Sequence, residues 1–324
     1  MYKSFYKLNR NPFEITPDPS FLFPTKRHNE ALAALYYGVR RHKGFVVLTG
    51  EVGTGKTLLL RCLLQLFKRN GDVASSYVFN GRLSPVEFLQ YVVSDFGLPA
   101  SKKNKSELLI ELFSYVIARN RKNLTTVLVV DEAHQLSSGI LEEIRLLTNL
   151  ETPQAKLLQI LLVGQPELDD KLDSVELRQL KQRIALRSRL TPLDLTETMG
   201  YIERRLQLSG ANSHAAGLFP PETIAAIYRY SGGIPRLINT VCENGLIAAY
   251  AKQARSVTPD MIEDIATDFR LGVVPSFRDA PPKSVDENDV RKAAKTLLDL
   301  YESLQAPGKD SQLRTPVTSR VSSQ

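Results

Sequence analysis

The sequence predicts an α/β protein in which a parallel β-sheet, covered by helices on both faces, precedes a smaller all-helical domain. The first observation is a set of apolar segments, rich in β-branched and aliphatic residues, that alternate with segments of helical periodicity. This alternation is typical of a parallel sheet buried on both faces. The second observation is that the alternation stops near residue 194, after which only helical periodicity remains. The five predicted strands are 45–50 (FVVLTG), 74–80 (ASSYVFN), 125–132 (TTVLVVDE), 157–165 (LLQILLVGQ) and 187–193 (RSRLTPL).

The helical domain is predicted from helix-start and helix-end signals. Asp194 and Glu197 fit a capping box, in which each side chain bonds a backbone N–H of the first turn. Pro220-Pro221 fits a first helical turn, and Thr258-Pro259 fits a cap followed by proline. The glycines of YSGGIPR (230–236) suit the end of one helix before the next begins. We therefore expect an α/β domain over 1–194 and a helical domain over 195–272.

A third region, 273–324, has a different composition. The prolines of VVPSFRDAPPKS predict a linker. A capping box from Ser284 to Glu287 and an apolar stripe predict one amphipathic helix over about 284–305. The last twenty residues are polar, which predicts a disordered tail.

Composition excludes several classes of protein. A formal net charge of +7 is modest for 324 residues and permits contact with nucleic acid or acidic lipid without arguing for it. Cys62 and Cys242 lie in apolar helical segments, so they are expected to be core thiols, and no metal-ligand spacing of Cys or His is present. No apolar run reaches the roughly eighteen residues of a membrane-spanning helix, and the N-terminus lacks the apolar centre of a secretory signal. We expect a cytoplasmic protein that reaches a membrane only through partners.

A phosphate-binding loop follows the first predicted strand. The segment GEVGTGKT matches G-x-x-x-x-G-K-[ST] between a strand and a helix, which is the setting that the motif requires. Its glycines allow backbone N–H groups to converge on phosphate oxygens at a helix N-terminus. Lys56 is expected to neutralise the β- and γ-phosphates, and the Thr57 hydroxyl to hold Mg²⁺. The predicted nucleotide-binding residues are Gly50, Glu51, Val52, Gly53, Thr54, Gly55, Lys56, Thr57 and Leu58.

Two adjacent carboxylates end the third predicted strand. We expect Asp131 to complete the Mg²⁺ shell through water and Glu132 to polarise the attacking water. One inserted strand, 74–80, separates this pair from the phosphate loop, as in the phosphate-loop ATPases that carry a catalytic glutamate. The guanine-reading Asn-Lys-x-Asp of GTPases is absent from the sequence. The letters DEAH (131–134) also match an RNA-helicase signature, but a second α/β motor domain is missing, so we interpret that match as coincidence.

The order of these features resembles that of AAA+ ATPases, which have a phosphate loop, a carboxylate pair and then a helical lid. The resemblance implies a three-layer fold with sheet order 5-1-4-3-2 and bound ATP and Mg²⁺. It also implies that Gln165, in LLVGQPEL, senses the γ-phosphate, where asparagine or threonine is more usual. Asn80 resembles the polar switch that restrains the catalytic glutamate. Arg236, in GGIPRLIN, resembles the lid arginine that contacts the γ-phosphate in cis.

The segment LKQRIALRSR (180–189) corresponds to the place where AAA+ relatives supply an arginine finger to a neighbouring subunit. Arg183 fits this role best, with Arg187 and Arg178 as substitutes. The alternative interpretation is a solvated basic face. A finger acting in trans implies a homo-oligomer, either a ring or a filament.

A narrower resemblance covers residues 5–270. The opening NPFEITPDPSFLFPTKRHNEALAALYYGVRRHKGFVVLTGEVGTGKT, followed by VDEAH, VGQPEL and QRI, is similar to the ExeA/GspA-like ATPases of bacterial secretion and pilus systems, including MshM-type and exosortase-associated members. The resemblance implies envelope assembly proteins as partners and places the Pro12-Phe13 segment beside the adenine. The sequence departs from that family after the lid, where we expect the linker and the helix over about 284–305 in place of a membrane helix and a peptidoglycan-binding domain.

A second class of function stays open from the sequence. DNA-bound transposition regulators of the TniB, TnsC and MuB class share the same ATPase core and form filaments on duplex DNA. Lys102, Lys103 and Lys105 are the expected phosphate contacts if duplex DNA is a ligand. The N-terminal resemblance favours the secretion class.

Overall fold

The computed structural model describes residues 2–79, 81, 83–210 and 217–273. Asn80 and nearly all of the predicted C-terminal region, including the helix expected over about 284–305, lie outside the described residues.

The α/β domain is built on a five-stranded parallel sheet with strand order β2-β3-β4-β1-β5, which confirms the predicted order read from the opposite edge. The central strands β1, β3 and β4 are buried at every position, since helices cover both faces of the sheet. All five predicted strands are present; the first has its predicted bounds, and the other four end earlier than their apolar patterns suggested. The strands are β1 (Phe45–Gly50), β2 (Val73–Val78), β3 (Thr125–Val130), β4 (Gln159–Gly164) and β5 (Leu186–Leu190).

Helices flank the sheet and form the lid. The N-terminal helix α1 (Tyr2–Phe5) packs on the lid. In the α/β part the helices are α2 (Lys26–Arg40), α3 (Lys56–Asn70), α4 (Pro85–Asp95), α5 (Lys105–Asn120), α6 (Ser138–Leu147), α7 (Glu167–Leu172) and α8 (Arg178–Lys181). In the lid they are α9 (Leu195–Leu208), α10 (Pro221–Ser231), α11 (Pro235–Ala251) and α12 (Pro259–Asp268). The capping box of Asp194 and Glu197 is formed at the start of α9, as predicted.

Three apolar clusters form the core. One lies between the sheet and α4 to α6, and a second lies on the opposite face beneath α2 and α3. The third is the interior of the lid. Apolar side chains and helices cover both faces of the sheet. The polar side chains that follow the strands therefore lie together at the carboxyl ends of those strands.

The N-terminal segment is adjacent to the α/β domain in sequence, but its apolar side chains pack in the lid. Tyr2, Leu8 and Phe13 belong to the lid cluster, and the Tyr2 hydroxyl donates to the Glu243 carboxylate at 2.8 Å. The Phe13 ring is fully buried and lies edge-on to Phe219, with centroids 5.7 Å apart. The Phe13 ring is thereby enclosed by protein.

The connection between the sheet and the lid depends on Gly233. Its φ is +75°, and a Cβ built on it would lie 1.8 Å from the backbone oxygen of Leu193. In return, the Leu193 N–H donates to the Gly233 carbonyl at 2.9 Å. The end of the α/β domain is thus pinned to the turn between α10 and α11.

We expect Gly233→Ala to lower the free energy of unfolding by at least about 2 kcal/mol, because it adds a steric clash to an unfavourable φ. Gly71→Ala is the matched control: Gly71 also has a positive φ, +71°, but its Cβ would meet nothing within 4 Å. Gly71→Ala therefore measures only the cost of placing alanine at a positive φ, about 1 kcal/mol. Equal losses for the two variants in urea unfolding would contradict the steric account.

Candidate nucleotide site

The phosphate loop joins β1 to α3 and has the backbone that its glycines allow. Gly53 and Gly55 have φ of +83° and +98°, which L side chains adopt only at a cost. A Cβ on Gly53 would lie 2.7 Å from the Arg236 Cβ, and the Arg236 N–H donates to the Gly53 carbonyl at 3.2 Å. The start of α11 therefore packs directly on the loop, and the lid arginine predicted from the sequence lies beside it. The Arg236 side chain is exposed and forms no ion pair with the described residues.

Lys56 is buried at the start of α3. Its ammonium donates to the carbonyls of Gly50 and Glu51 at 2.7 and 2.9 Å. Burial lowers the pKa of Lys56, and the nearby carboxylates of Glu132 and Asp131 oppose that shift. The site thus combines the buried Lys56 ammonium with the two nearby carboxylates of Glu132 and Asp131.

Asp131 is buried where β3 ends, and donors surround its carboxylate. Oδ2 accepts from the Thr57 hydroxyl at 3.0 Å and from the Tyr77 hydroxyl at 2.7 Å. Oδ1 accepts from the Glu132 N–H at 2.9 Å. The two predicted metal ligands, Thr57 and Asp131, are therefore in contact.

Glu132 occupies an unusual backbone position, with φ 53° and ψ 35°. Non-glycine residues adopt this region at a cost of about 1–3 kcal/mol, and such residues concentrate at functional sites. The Glu132 carboxylate is partly exposed and lies 3.4 Å from the Gln165 amide nitrogen and 3.6 Å from Nδ1 of His134. The Gln165 N–H is also 3.4 Å from that His134 nitrogen. The structure thus brings Gln165 and His134 next to Glu132.

The basic segment near β5 divides into paired and unpaired arginines. Arg187 lies 3.4 Å from Asp169 and 3.6 Å from Asp173, so its charge is balanced within its own chain. Arg183 is half-buried after α8 and Arg178 is exposed, and neither forms an ion pair with the described residues. The structure places none of the three against Glu132 or the phosphate loop of the same chain.

The polar groups of the site fit a nucleotide bound together with Mg²⁺. The loop offers backbone N–H groups at the N-terminus of α3, a helix of 15 residues, together with a buried ammonium. A hydroxyl and a carboxylate in contact are hard oxygen donors of the kind that Mg²⁺ prefers, and Mg²⁺ is usually held by one or two protein groups plus waters and phosphate. Within the described residues no group of three or more His, Cys, Asp or Glu side chains could hold a metal.

His28 supports the phosphate loop from α2 and was missed by sequence reasoning. It is buried; its Nε2 lies 3.1 Å from the Thr54 carbonyl, and its Nδ1 lies 2.7 Å from the Thr25 hydroxyl. Because the carbonyl can only accept, Nε2 carries the proton and Nδ1 accepts from Thr25. Burial lowers the pKa of His28, which favours this neutral form.

Comparisons with known proteins identify the class of domain that carries these residues. A family model described as an AAA domain matches residues 39–172. General secretion pathway protein A of Aeromonas hydrophila is 43% identical over 258 residues, which are 79% of this chain and 46% of that protein. The chain therefore spans about half the length of this relative.

Two solved structures share the fold. The ORC2 protein of Aeropyrum pernix has a TM-score of 0.60 at 18% identity, covering 80% of this chain and 72% of that chain. Cdc6p of Pyrobaculum aerophilum has a TM-score of 0.59 at 17% identity, covering 82% and 70%. The fold, the phosphate loop and the carboxylate pair together define a member of the AAA+ family. Within that family the chain is similar to general secretion pathway protein A over 258 residues. No helix in the described part of the chain has the length and apolar character needed to cross a bilayer.

We expect His28→Gln to change how stability depends on pH. In the folded protein His28 has a lowered pKa, so the unfolded chain takes up its proton first as the pH falls below about 6.5. The wild type should therefore lose stability relative to the variant between about pH 7 and pH 5, by up to about 1.4 kcal/mol per pH unit. Glutamine keeps an N–H donor for the Thr54 carbonyl but does not titrate.

The measurement is urea unfolding of both proteins across this pH range. The other histidines are present in both proteins, so their contributions cancel in the difference. Parallel stability curves would contradict the role of His28 as a buried neutral donor.

Proposed function

We propose that this protein is a cytoplasmic, Mg²⁺-dependent ATPase that supports assembly or operation of a bacterial secretion, pilus or exopolysaccharide-export system. The observation that carries the chemistry is the contact of Thr57 with Asp131, next to Glu132 and Gln165. The relationship to general secretion pathway protein A supports the process.

Each residue has a distinct part in the proposed hydrolysis. Mg²⁺, when bound, neutralises phosphate charge and orients the nucleotide. Thr57 and Asp131 hold the metal, and Lys56 neutralises phosphate oxygens from the loop. Glu132 accepts the proton of the attacking water, since its carboxylate is partly exposed while Asp131 is enclosed by donors.

Two further groups link hydrolysis to conformation. The Gln165 side-chain amide lies 3.4 Å from the Glu132 carboxylate, so a change in what that carboxylate binds can change the position of the amide. Arg236 is exposed and lies at the contact between α11 and the phosphate loop, so its guanidinium can bind a γ-phosphate in cis. Asn80, which lies outside the described residues, stays a prediction for the polar switch that restrains Glu132.

We further propose that Arg183 acts on the nucleotide of a neighbouring subunit. Arg187 is balanced by two carboxylates of its own chain, whereas Arg183 carries no such pair within the described residues. An arginine finger that acts in trans makes a homo-oligomer the active form.

The structure gives the DNA-binding alternative less support than the sequence did. Lys103 pairs with Glu111 at 2.6 Å, and Lys105 pairs with Glu143. Two of the three lysines expected to contact phosphates are therefore engaged with acids. Only Lys102 of this group is exposed without such a pair within the described residues.

We expect Glu132→Gln to retain ATP binding and to lose turnover by a factor of about 10²–10⁴, because the amide cannot accept the proton. Glu142→Gln is the control, since Glu142 is exposed on α6 and pairs only with Arg145 among the described residues. Phosphate release and fluorescent-nucleotide binding measure the two properties. Unchanged turnover in Glu132→Gln would contradict the assignment.

The same substitution tests the biological process. In the native host, a Glu132→Gln allele should reduce export of secreted, pilus or polysaccharide products while the Glu142→Gln allele does not. The purified Glu132→Gln protein, loaded with ATP, is also the sample for duplex binding across a salt series. Normal export together with ATP-dependent, salt-sensitive duplex binding would favour the transposition class instead.

We expect Arg183→Ala to keep ATP binding and to lose turnover by about 10³-fold or more. Arg187→Ala and the lid variant Arg229→Ala are matched controls. Mixing Arg183→Ala with Glu132→Gln should restore part of the activity, because one interface then combines an intact glutamate with an intact finger. No recovery on mixing, with a rate per subunit independent of protein concentration, would contradict a finger in trans.

A further inference from the structure

A tyrosine hydroxyl enters the nucleotide site from the strand at the sheet edge. The Tyr77 hydroxyl donates to Oδ2 of Asp131 at 2.7 Å, which is closer than the Thr57 hydroxyl at 3.0 Å. With the Glu132 N–H on Oδ1, the carboxylate has donors on both oxygens. A carboxylate held on both oxygens is restricted in rotation about its terminal torsion, which is otherwise broad.

The position of Tyr77 is itself well defined. It pairs in register with Val129 on β3, two residues before Asp131. Its ring packs against the cluster that includes Val127 and Val129. On the free side of β2 its N–H donates to the Asp95 carboxylate at 2.7 Å, so the backbone at this point is also bonded.

The hydroxyl has a defined chemical role at this place. A tyrosine hydroxyl has one proton to donate, and here Asp131 accepts it. The Thr57 hydroxyl can donate to Asp131 and also offer a lone pair to a metal ion, so its orientation is shared between the carboxylate and that ion. Tyr77 has no such second task, and it holds the carboxylate from outside the set of metal ligands.

We propose that Tyr77 is a positioning residue that orients the Asp131 carboxylate for the divalent cation and thereby sets the affinity of the site for that cation. The proposal rests on the proposed function, since it requires that Thr57 and Asp131 hold a metal beside a nucleotide. Groups that orient a metal-binding side chain contribute about 10–100-fold to metal affinity.

The test is a titration of Mn²⁺, which binds in place of Mg²⁺ and is followed by electron paramagnetic resonance, into the complex of the full chain with ADP. We expect Tyr77→Phe to weaken Mn²⁺ binding about tenfold, with the ADP affinity in EDTA unchanged. The control is Tyr91→Phe, which also loses one hydroxyl but lies on α4 with its ring against Phe79. Mn²⁺ affinity within twofold of wild type in Tyr77→Phe would overturn the proposal.

A second variant acts on Tyr77 without altering the site itself. Asp95 is exposed, and Asp95→Asn weakens the acceptor of the Tyr77 N–H while leaving every group at the metal in place. We expect a smaller loss of Mn²⁺ affinity, about two- to threefold. If Tyr77→Phe does not fold, an unchanged Mn²⁺ affinity in Asp95→Asn overturns the proposal.

The outcomes separate this inference from the proposed function. Wild-type protein that binds neither ADP nor Mn²⁺ would overturn both. Wild-type protein that binds both, with Tyr77→Phe behaving identically, would overturn only the role of Tyr77. A loss of ADP affinity in EDTA equal to the loss of Mn²⁺ affinity would show a general disruption and would also overturn it.

Discussion

Parallel hydrogen bonding between β1, β4 and β3 is the constraint on which the site depends. In this register Thr49 pairs with Gly164, and Leu162 pairs with Val130. β3 therefore ends level with Leu162, two residues before the end of β4, and β1 ends next to β4. The residues that follow, in the phosphate loop, at Asp131 and at Gln165, emerge at the same end of the sheet. A shift of one residue would move every apolar side chain to the other buried face, where the helices are packed around different side chains, so the register is costly to change.

Local motifs allowed most of the fold and much of the site to be predicted from the sequence. The strands were visible as apolar segments, and the phosphate loop and the carboxylate pair are contiguous. His28 and Tyr77 could not be found in this way, because their partners lie 26 and 54 residues away and no spacing rule links them. The N-terminal segment is a similar case, since its apolar residues do not indicate which of two domains they will cover.

The lysines of the loop before α5 illustrate a second limit of sequence reasoning. Three cations within four positions suggest a basic surface, but Glu111 and Glu143 lie eight and 38 residues further on and pair with two of them. A cluster of like charges in the sequence is a surface feature only where the folded chain leaves it unpaired. Conversely, the sequence did not show that Arg187 would pair with two carboxylates of its own chain while Arg183 would form no ion pair with the described residues.

The N-terminal segment is attached to both domains at closely spaced points. Arg205 of the lid donates to the Glu14 carbonyl at 3.4 Å, and Arg61 of α3 donates to the Pro17 carbonyl at 2.8 Å. Three residues of extended chain span at most about 11 Å. The segment between these two hydrogen bonds therefore limits how far the lid can move away from α3. Once the chain from Glu14 to Pro17 is fully extended, further movement must break one of the two hydrogen bonds.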